Sequence, residues 1–250
     1  MTEERFGAPR LGSGLAGKPG PWGDLALTLP VFLAYQVGVV FLKVQNASDL
    51  VTAQLLRLAH GDAFLYFGLT AAAGAAMVVV FALLGRGQVF RFRKLLQIAI
   101  EGAAYAVAMG VATSWVVGKM FAAPSPRLVE GPFAGLVMSL GAGFYEELLF
   151  RAALFGLGGK LVLWLLASGR KGAGVQGAVW WTVVVGAWAA VCAAMFSGAH
   201  YVGSLGDAFE MRSFVARSVL GLALTFVYAM RGFAAAVWTH ALYDVWVLVL

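Results

Sequence analysis

FAGLVMSLGAGFYEELLFRAALFGLGGKLVLWLL, residues 133–166, is the stretch that decides the fold of this chain. It is apolar over most of its length, yet it carries Glu146, Glu147 and Arg151 near its middle. An apolar run of about 20 residues crosses the roughly 30 Å hydrocarbon core of a bilayer as an α-helix. This run is longer than one perpendicular crossing needs. It therefore predicts a tilted helix, a helix broken near residues 156–159, or two separate helices.

The whole chain has the composition of a membrane protein. Of its 250 residues, 61% are hydrophobic and only 12% are charged, and the mean hydropathy is +0.84. An ordinary soluble domain carries about 25% charged residues, so this chain cannot cover a soluble globule with polar surface. Cys192 is the only cysteine, which excludes a disulfide framework and a cysteine-based metal site.

Apolar segments recur from residue 24 to the last residue. They predict spans at about residues 24–42, 63–84, 98–117, 133–166, 175–200, 214–230 and 233–250, with an amphipathic interfacial segment at 47–60. We therefore predict an all-α fold, a polytopic transmembrane bundle of seven or eight helices with an intramembrane polar cavity. It forms a single transmembrane domain over residues 23–250, preceded by a flexible tail at residues 1–22.

Basic residues between the spans indicate how the chain is oriented. Arg86, Arg91, Arg93 and Lys94 fall in one short predicted loop, which the positive-inside rule places in the cytoplasm together with the N-terminus. We expect a multi-pass protein of a bacterial inner membrane. The net charge is +6, but no basic patch with interleaved aromatic residues is visible, so the expected partners are membrane lipids and no nucleic acid.

Charged residues inside the spans carry the functional signal. A charge at the centre of a membrane helix costs about 2.5–3.5 kcal/mol on insertion scales, so such residues usually face a cavity or a partner. Glu147 and Arg151 stand at i and i+4, the spacing at which a carboxylate and a guanidinium meet. Glu146 is rotated by about 100° from Glu147. It has no local partner and can point into a cavity as a general base.

Two of the three histidines lie in, or at the ends of, apolar segments. His240 and Asp244 share one face of the last predicted helix, so the carboxylate can fix the imidazole tautomer or favour its protonated form. If the chain reverses near residue 173, Glu147 and His200 reach a similar depth in two antiparallel helices. This requires the fourth helix to continue past residue 159.

The ordered set of motifs resembles the CPBP family of CAAX proteases and bacteriocin-processing enzymes, also called the Abi family, which is related to the type II CAAX prenyl endopeptidases. The motifs that carry the resemblance are Glu146-Glu147-x3-Arg151, Phe196-x3-His200 and His240-x3-Asp244, within residues 141–244. The first 120 residues carry none of them.

This resemblance implies an intramembrane glutamic endopeptidase without a cofactor, acting on a membrane-associated or lipidated protein or peptide. Its catalytic residues would be Glu146, His200, His240 and Asp244, and its supporting residues Glu147, Arg151 and Phe196. In the family, the glutamate and first histidine activate a water, and the second histidine and the residue four positions later stabilise the oxyanion.

One position departs from the family pattern. Prenyl-protein members have an asparagine where this chain has Asp244, and an ionised aspartate cannot donate a hydrogen bond. Either Asp244 is protonated, or it holds a positively charged His240 that supplies the oxyanion contact itself.

Two other functions stay open at this stage. Two histidines and two carboxylates also form an acceptable zinc shell with an open position for water, although the chain lacks a His-Glu-x2-His motif. A non-catalytic transporter or immunity protein could use the same polar cavity, although no pseudo-symmetric halves are visible.

Charges outside the motifs have plainer interpretations. Glu101 is predicted near the cytoplasmic interface, either paired or extended towards the headgroups. Asp49, Asp62, Asp207 and Glu210 are predicted to be loop charges.

Overall fold

The computed structural model describes residues 20–42, 46, 49–84, 92–121, 131–167, 175–203 and 206–249. Residues 1–19, the two loop arginines Arg86 and Arg91, and the predicted chain reversal near residue 173 lie outside the described residues. The flexible tail therefore stays a prediction.

Within the described ranges, all regular structure is helical. Four helices precede the motif region: α1 (Pro21–Leu42), α2 (Leu50–Leu58), α3 (Ala63–Leu84) and α4 (Phe92–Met120). The fourth predicted span is one continuous helical path, in which α5 (Pro132–Gly141) runs into a π-helix (Ala142–Gly158) and then into α6 (Gly159–Ala167). Three helices complete the bundle: α7 (Val175–Ala199), α8 (Met211–Arg231) and α9 (Phe233–Leu248).

The bundle has the dimensions and the exterior of a membrane protein. Five stretches of the described chain are long and apolar enough to cross a bilayer, namely Trp22–Leu42, Phe92–Met120, Pro132–Leu166, Gln176–Ala199 and Met211–Arg231. Shorter apolar helices are Ala63–Ala73 and Phe233–Leu248. Large apolar side chains such as Phe41 and Trp164 are exposed on the outside, where lipid rather than water is their favourable surrounding. The chain is an integral, multi-pass membrane protein, as predicted.

The last helix, α9, lies at the centre of the bundle. It packs against α1, α4, α5, the π-helix and α8, and its alanines at 234–236 are fully buried. Small residues allow helix backbones to approach closely, and glycines of the neighbours complete these contacts. A Cβ on Gly143 of the π-helix would lie 2.7 Å from the Cβ of Ala241. The motif helix and the His240 helix are therefore in backbone contact.

One end of the bundle is joined by polar contacts among four helices. Arg231, at the end of α8, pairs with Glu101 of α4 at 2.7–2.9 Å. Asp24 of α1 accepts a hydrogen bond of 3.0 Å from the backbone N–H of Ala234, in the first turn of α9. We call this end the ion-pair face. Glu101 is thus a paired residue, one of the two predicted alternatives.

Helices α1, α4 and α9 begin at the ion-pair face and end at the opposite end of the bundle. Helix α8 runs the other way and begins at that opposite end, where α7 also ends. We call this opposite end the cavity face. Arg93 and Lys94 lie in the first turn of α4, at the ion-pair end, and the prediction that they belong to a loop was wrong. Helix α4 begins at Phe92, before residue 98, where the apolar pattern predicts the span to start. The added first turn is polar, so apolar length alone does not indicate it.

The long motif span neither breaks nor divides near residues 156–159. Its middle is a π-helix, which holds more residues per turn than an α-helix and is frequent at functional sites. Because the helical path continues past Gly159 to Ala167, the condition for bringing the first motif and His200 to one depth is met.

Candidate active site

A polar cavity of about 1270 Å³ opens at the cavity face. Its walls come from α4, α5, the π-helix, α7, α8 and α9, and the carboxylates and imidazoles of the sequence motifs line its inner part. The motif residues in its lining are Glu146, Phe196, His200, His240 and Asp244. A cavity with polar side chains in its lining is present, and the three separate motifs meet in it.

Glu146 and His200 face each other across this cavity. The Oε2 atom of Glu146 lies 3.7 Å from the Nε2 atom of His200, and it makes no hydrogen bond within the described part of the chain. The other ring nitrogen of His200, Nδ1, lies 2.9 Å from the carbonyl oxygen of Phe196. A carbonyl only accepts, so Nδ1 carries the hydrogen, and in the neutral ring Nε2 presents its lone pair to Glu146.

Glu147 is turned away from the cavity opening and is completely buried. Its Oε1 atom lies 2.8 Å from Nη1 of Arg151, which is the predicted i, i+4 ion pair. The same oxygen lies 2.7 Å from Nδ1 of His240. Arg151 is also held from α8, because its Nη2 donates to the carbonyl of Gly221 at 3.3 Å. The Glu147–Arg151 pair therefore supports His240, a contact that spacing within one helix could not indicate.

His240 stands between two carboxylates. Its Nδ1 donates to Glu147, and its Nε2 lies 3.5 Å from Oδ2 of Asp244. His240 and Asp244 share one face of α9, as the i, i+4 spacing predicts. His240 thus faces two carboxylates, whereas His200 faces one carbonyl oxygen and one carboxylate. The two histidines of the site are held in different electrostatic surroundings.

Phe196 separates the two histidines. Its ring packs edge-on to His200 at 5.2 Å and to His240 at 5.8 Å between ring centroids, and the guanidinium carbon of Arg151 lies 4.2 Å from the Phe196 centroid. A cation over an aromatic face is attracted by the ring quadrupole. The phenylalanine of the second motif therefore shapes the site by fixing three neighbours at once.

A family model described as Type II CAAX prenyl endopeptidase Rce1-like matches residues 129–246. The chain is similar to this family over a little less than half of its length. Neither the search of curated proteins nor that of solved structures found a match to the chain. We call residues 129–246 the Rce1-like region, and it contains all seven of the predicted site residues.

A polar side chain from outside the Rce1-like region contacts Glu146. Asn46, which follows α1, lines the cavity, and its Nδ2 donates to Oε1 of Glu146 at 3.1 Å. Sequence reasoning missed it because it lies 100 positions from its partner. The available signal was weak: a buried polar residue directly after an apolar span.

Asp49 was also misread as a loop charge. It is 1% exposed, and its Oδ1 accepts from the backbone N–H of Thr52 at 2.8 Å, which makes it the N-cap of α2. An aspartate directly before the first residue of a helix is typical of such a cap. Exposure is as predicted for Asp62, Asp207 and Glu210.

Among the described residues, no three His, Cys, Asp or Glu side chains stand in an arrangement that could hold a metal ion.

Proposed function

We propose that the chain is an intramembrane glutamic endopeptidase that hydrolyses a peptide bond of a membrane-associated or lipidated protein or peptide. The observation that carries the proposal is the 3.7 Å gap between Oε2 of Glu146 and Nε2 of His200 inside the cavity. A gap of this size between two acceptors suits a water that donates one hydrogen to each.

The tautomer of His200 supports this role for the pair. With Nδ1 engaged by the Phe196 carbonyl, Nε2 is an acceptor, and Glu146 offers a second one. A water held between them directs its oxygen lone pair away from both, towards a substrate carbonyl in the cavity. Positioned acid–base groups of this kind contribute about 10²–10⁴-fold to rate.

His240 is the proposed contact for the developing negative charge. Because its Nδ1 donates to Glu147 and its Nε2 faces Asp244, a ring with hydrogen on both nitrogens satisfies both carboxylates. Such a ring can turn the Nε2 hydrogen bond towards a carbonyl oxygen that is becoming an oxyanion. Of the two alternatives left by the sequence, this favours an ionised Asp244 that holds a charged His240.

The proposed reaction balances with water as the only co-reactant. Glu146 takes a proton from the water as the water oxygen bonds to the peptide carbonyl carbon, and His240 stabilises the oxyanion. The C–N bond then breaks as Glu146, with His200, returns the proton to the leaving amine. The products are a new carboxyl terminus and a new amino terminus.

The test uses purified protein in proteoliposomes and an internally quenched farnesylated peptide. Glu146→Gln keeps the size of the side chain but removes its basicity, so we expect hydrolysis to be lost. Asp62→Asn, a change at an exposed carboxylate that caps Leu65, should retain it. Full activity in Glu146→Gln would reject the proposal. Comparing protein termini in membranes of cells that express the wild type or Glu146→Gln then identifies the natural substrate.

A further inference from the structure

Asn46 reaches the proposed base from a part of the chain that the Rce1-like region does not include. It is buried, and its side-chain amide donates to Oε1 of Glu146 at 3.1 Å. The second oxygen of the carboxylate, Oε2, is the one that faces His200. One oxygen of the Glu146 carboxylate thus accepts a hydrogen bond from Asn46, and the other faces His200.

The position of Asn46 is itself fixed by α1. Its backbone N–H donates to the hydroxyl of Tyr35 at 3.0 Å, and Tyr35 is completely buried. The Tyr35 ring packs against Tyr145 with 5.5 Å between centroids and lies so close to Gly141 that a Cβ there would be 2.3 Å from the ring. Asn46 is therefore tied to the helical segment that carries Glu146.

A second layer of hydrogen bonds supports this arrangement. The Gln36 amide donates to the hydroxyl of Tyr145 at 2.6 Å, and its carbonyl accepts from Tyr66 at 2.6 Å and from Thr52 at 3.1 Å. These residues join α1, α2 and α3 to the residue that precedes Glu146. Such a network of satisfied buried groups holds its members in one geometry.

We propose that Asn46 is a positioning residue for Glu146. The terminal torsion of a glutamate is broad, so a carboxylate without a fixed partner would sample orientations in which neither oxygen faces His200. A donor on Oε1 selects the orientation that presents Oε2 to the water and His200. This inference rests on the proposed role of Glu146 as the base. It predicts an effect on the chemical step rather than on substrate binding.

Kinetics with the farnesylated quenched peptide separate positioning from packing. Asn46→Asp keeps the shape but replaces the donor by an acceptor, and Asn46→Ala removes the donor. Loss of a hydrogen bond to a charged group predicts a fall in kcat of about 10-fold or more in both variants, with KM within about twofold of wild type. The matched control is Thr28→Val, which removes a buried hydroxyl on α1 that donates to the carbonyl of Leu25 in the same helix. It should keep wild-type kcat.

Cross-linking tests the contact without any substrate. In a Cys192→Ala background, Asn46→Cys with Glu146→Cys should join through a short bis-thiosulfonate, and Thr28→Cys with Glu146→Cys should not. If the first pair fails to join, or if Glu146→Gln is inactive while both Asn46 variants keep wild-type kcat, the positioning role is wrong and the proposed function stands. If Glu146→Gln is itself active, the proposed function fails, and the role of Asn46 fails with it.

Discussion

Two adjacent glutamates of this chain meet different surroundings. Glu146 keeps one oxygen in the cavity, whereas Glu147 is completely buried between Arg151 and His240. Neighbouring residues on a helix point in different directions, so one turn of the π-helix places one glutamate at the cavity and buries the other. Their substitution should therefore separate activity from stability.

Removing one member of the buried ion pair should destabilise the fold. Arg151→Met leaves the carboxylate of Glu147 without its guanidinium, and breaking a buried pair costs about 3–5 kcal/mol. We expect a clear fall in the midpoint of thermal unfolding in detergent. Glu146→Gln should unfold close to the wild-type temperature. Equal stability of Arg151→Met and wild type would contradict a structural role for the pair.

The residue at position 244 is expected to act through hydrogen bonding. Asp244→Asn keeps a polar group beside Nε2 of His240 and adds an N–H donor, so it should retain activity within about tenfold of wild type. Asp244→Leu removes the acceptor that holds His240, so the oxyanion contact made by His240 should be lost, at a cost of about 10²–10³-fold in kcat. Hydrolysis rates of the two variants provide the comparison. Equal losses would count against hydrogen bonding at this position.

At the level of residues, the sequence predicts contacts within one helix and misses those between distant segments. The pairs Glu147–Arg151 and His240–Asp244 follow from i, i+4 spacing, and both form. The contact of Glu147 with His240 spans 93 positions, and that of Glu146 with Asn46 spans 100. Only the packing of whole helices brings such groups together.

Among the helices, the contact between the π-helix and α9 decides whether the site can form. Gly143 allows this approach because it has no side chain to meet the backbone of Ala241. The pairing of Glu147 with His240 depends on the same approach. The contact can be tested without altering a polar residue of the site.

A large side chain at Gly143 should force the two helices apart. We expect Gly143→Leu to lower stability by at least about 2 kcal/mol through overpacking and to abolish hydrolysis. The matched control is Gly198→Ala on α7, where an added Cβ meets no atom within 4 Å. Unfolding and hydrolysis assays of both variants check this. A fully active Gly143→Leu would show that close contact is not required.

The helices themselves could largely be predicted, but their ends could not. Apolar length predicts α1, α3 and α7 well because burial in lipid requires it. Polar residues at the ends follow local capping and tertiary pairing instead, which explains the errors at Asp49 and at Arg93. The π-helix has no signature in the apolar pattern, since it adds residues to a turn without changing composition.

For the whole molecule, the two faces define how the site relates to the membrane. The start of α4 lies at the ion-pair face, and its end lies beside the cavity. The basic residues of the chain predict that the N-terminus and the start of α4 are cytoplasmic. If so, the cavity opens towards the other side.

Labelling of single cysteines at the two ends of α4 tests this orientation. In a Cys192→Ala background, Lys119→Cys and Arg93→Cys both replace exposed residues, about 39 Å apart along the helix. We expect a membrane-impermeant maleimide to label position 119 in intact cells and position 93 only after permeabilisation. The reverse pattern would place the N-terminus outside and the cavity opening on the cytoplasmic side.

The central claim, a water activated by a glutamate without metal, is tested most directly by hydrolysis in ¹⁸O-labelled water with chelator-treated proteoliposomes. The account predicts that the wild type cleaves the farnesylated peptide and places one ¹⁸O in the new carboxyl terminus, while folded Glu146→Gln forms no product. Cleavage by Glu146→Gln at the wild-type rate would contradict the role of the glutamate. Activity that is lost to chelator and restored by stoichiometric zinc would instead establish the metalloprotease mechanism.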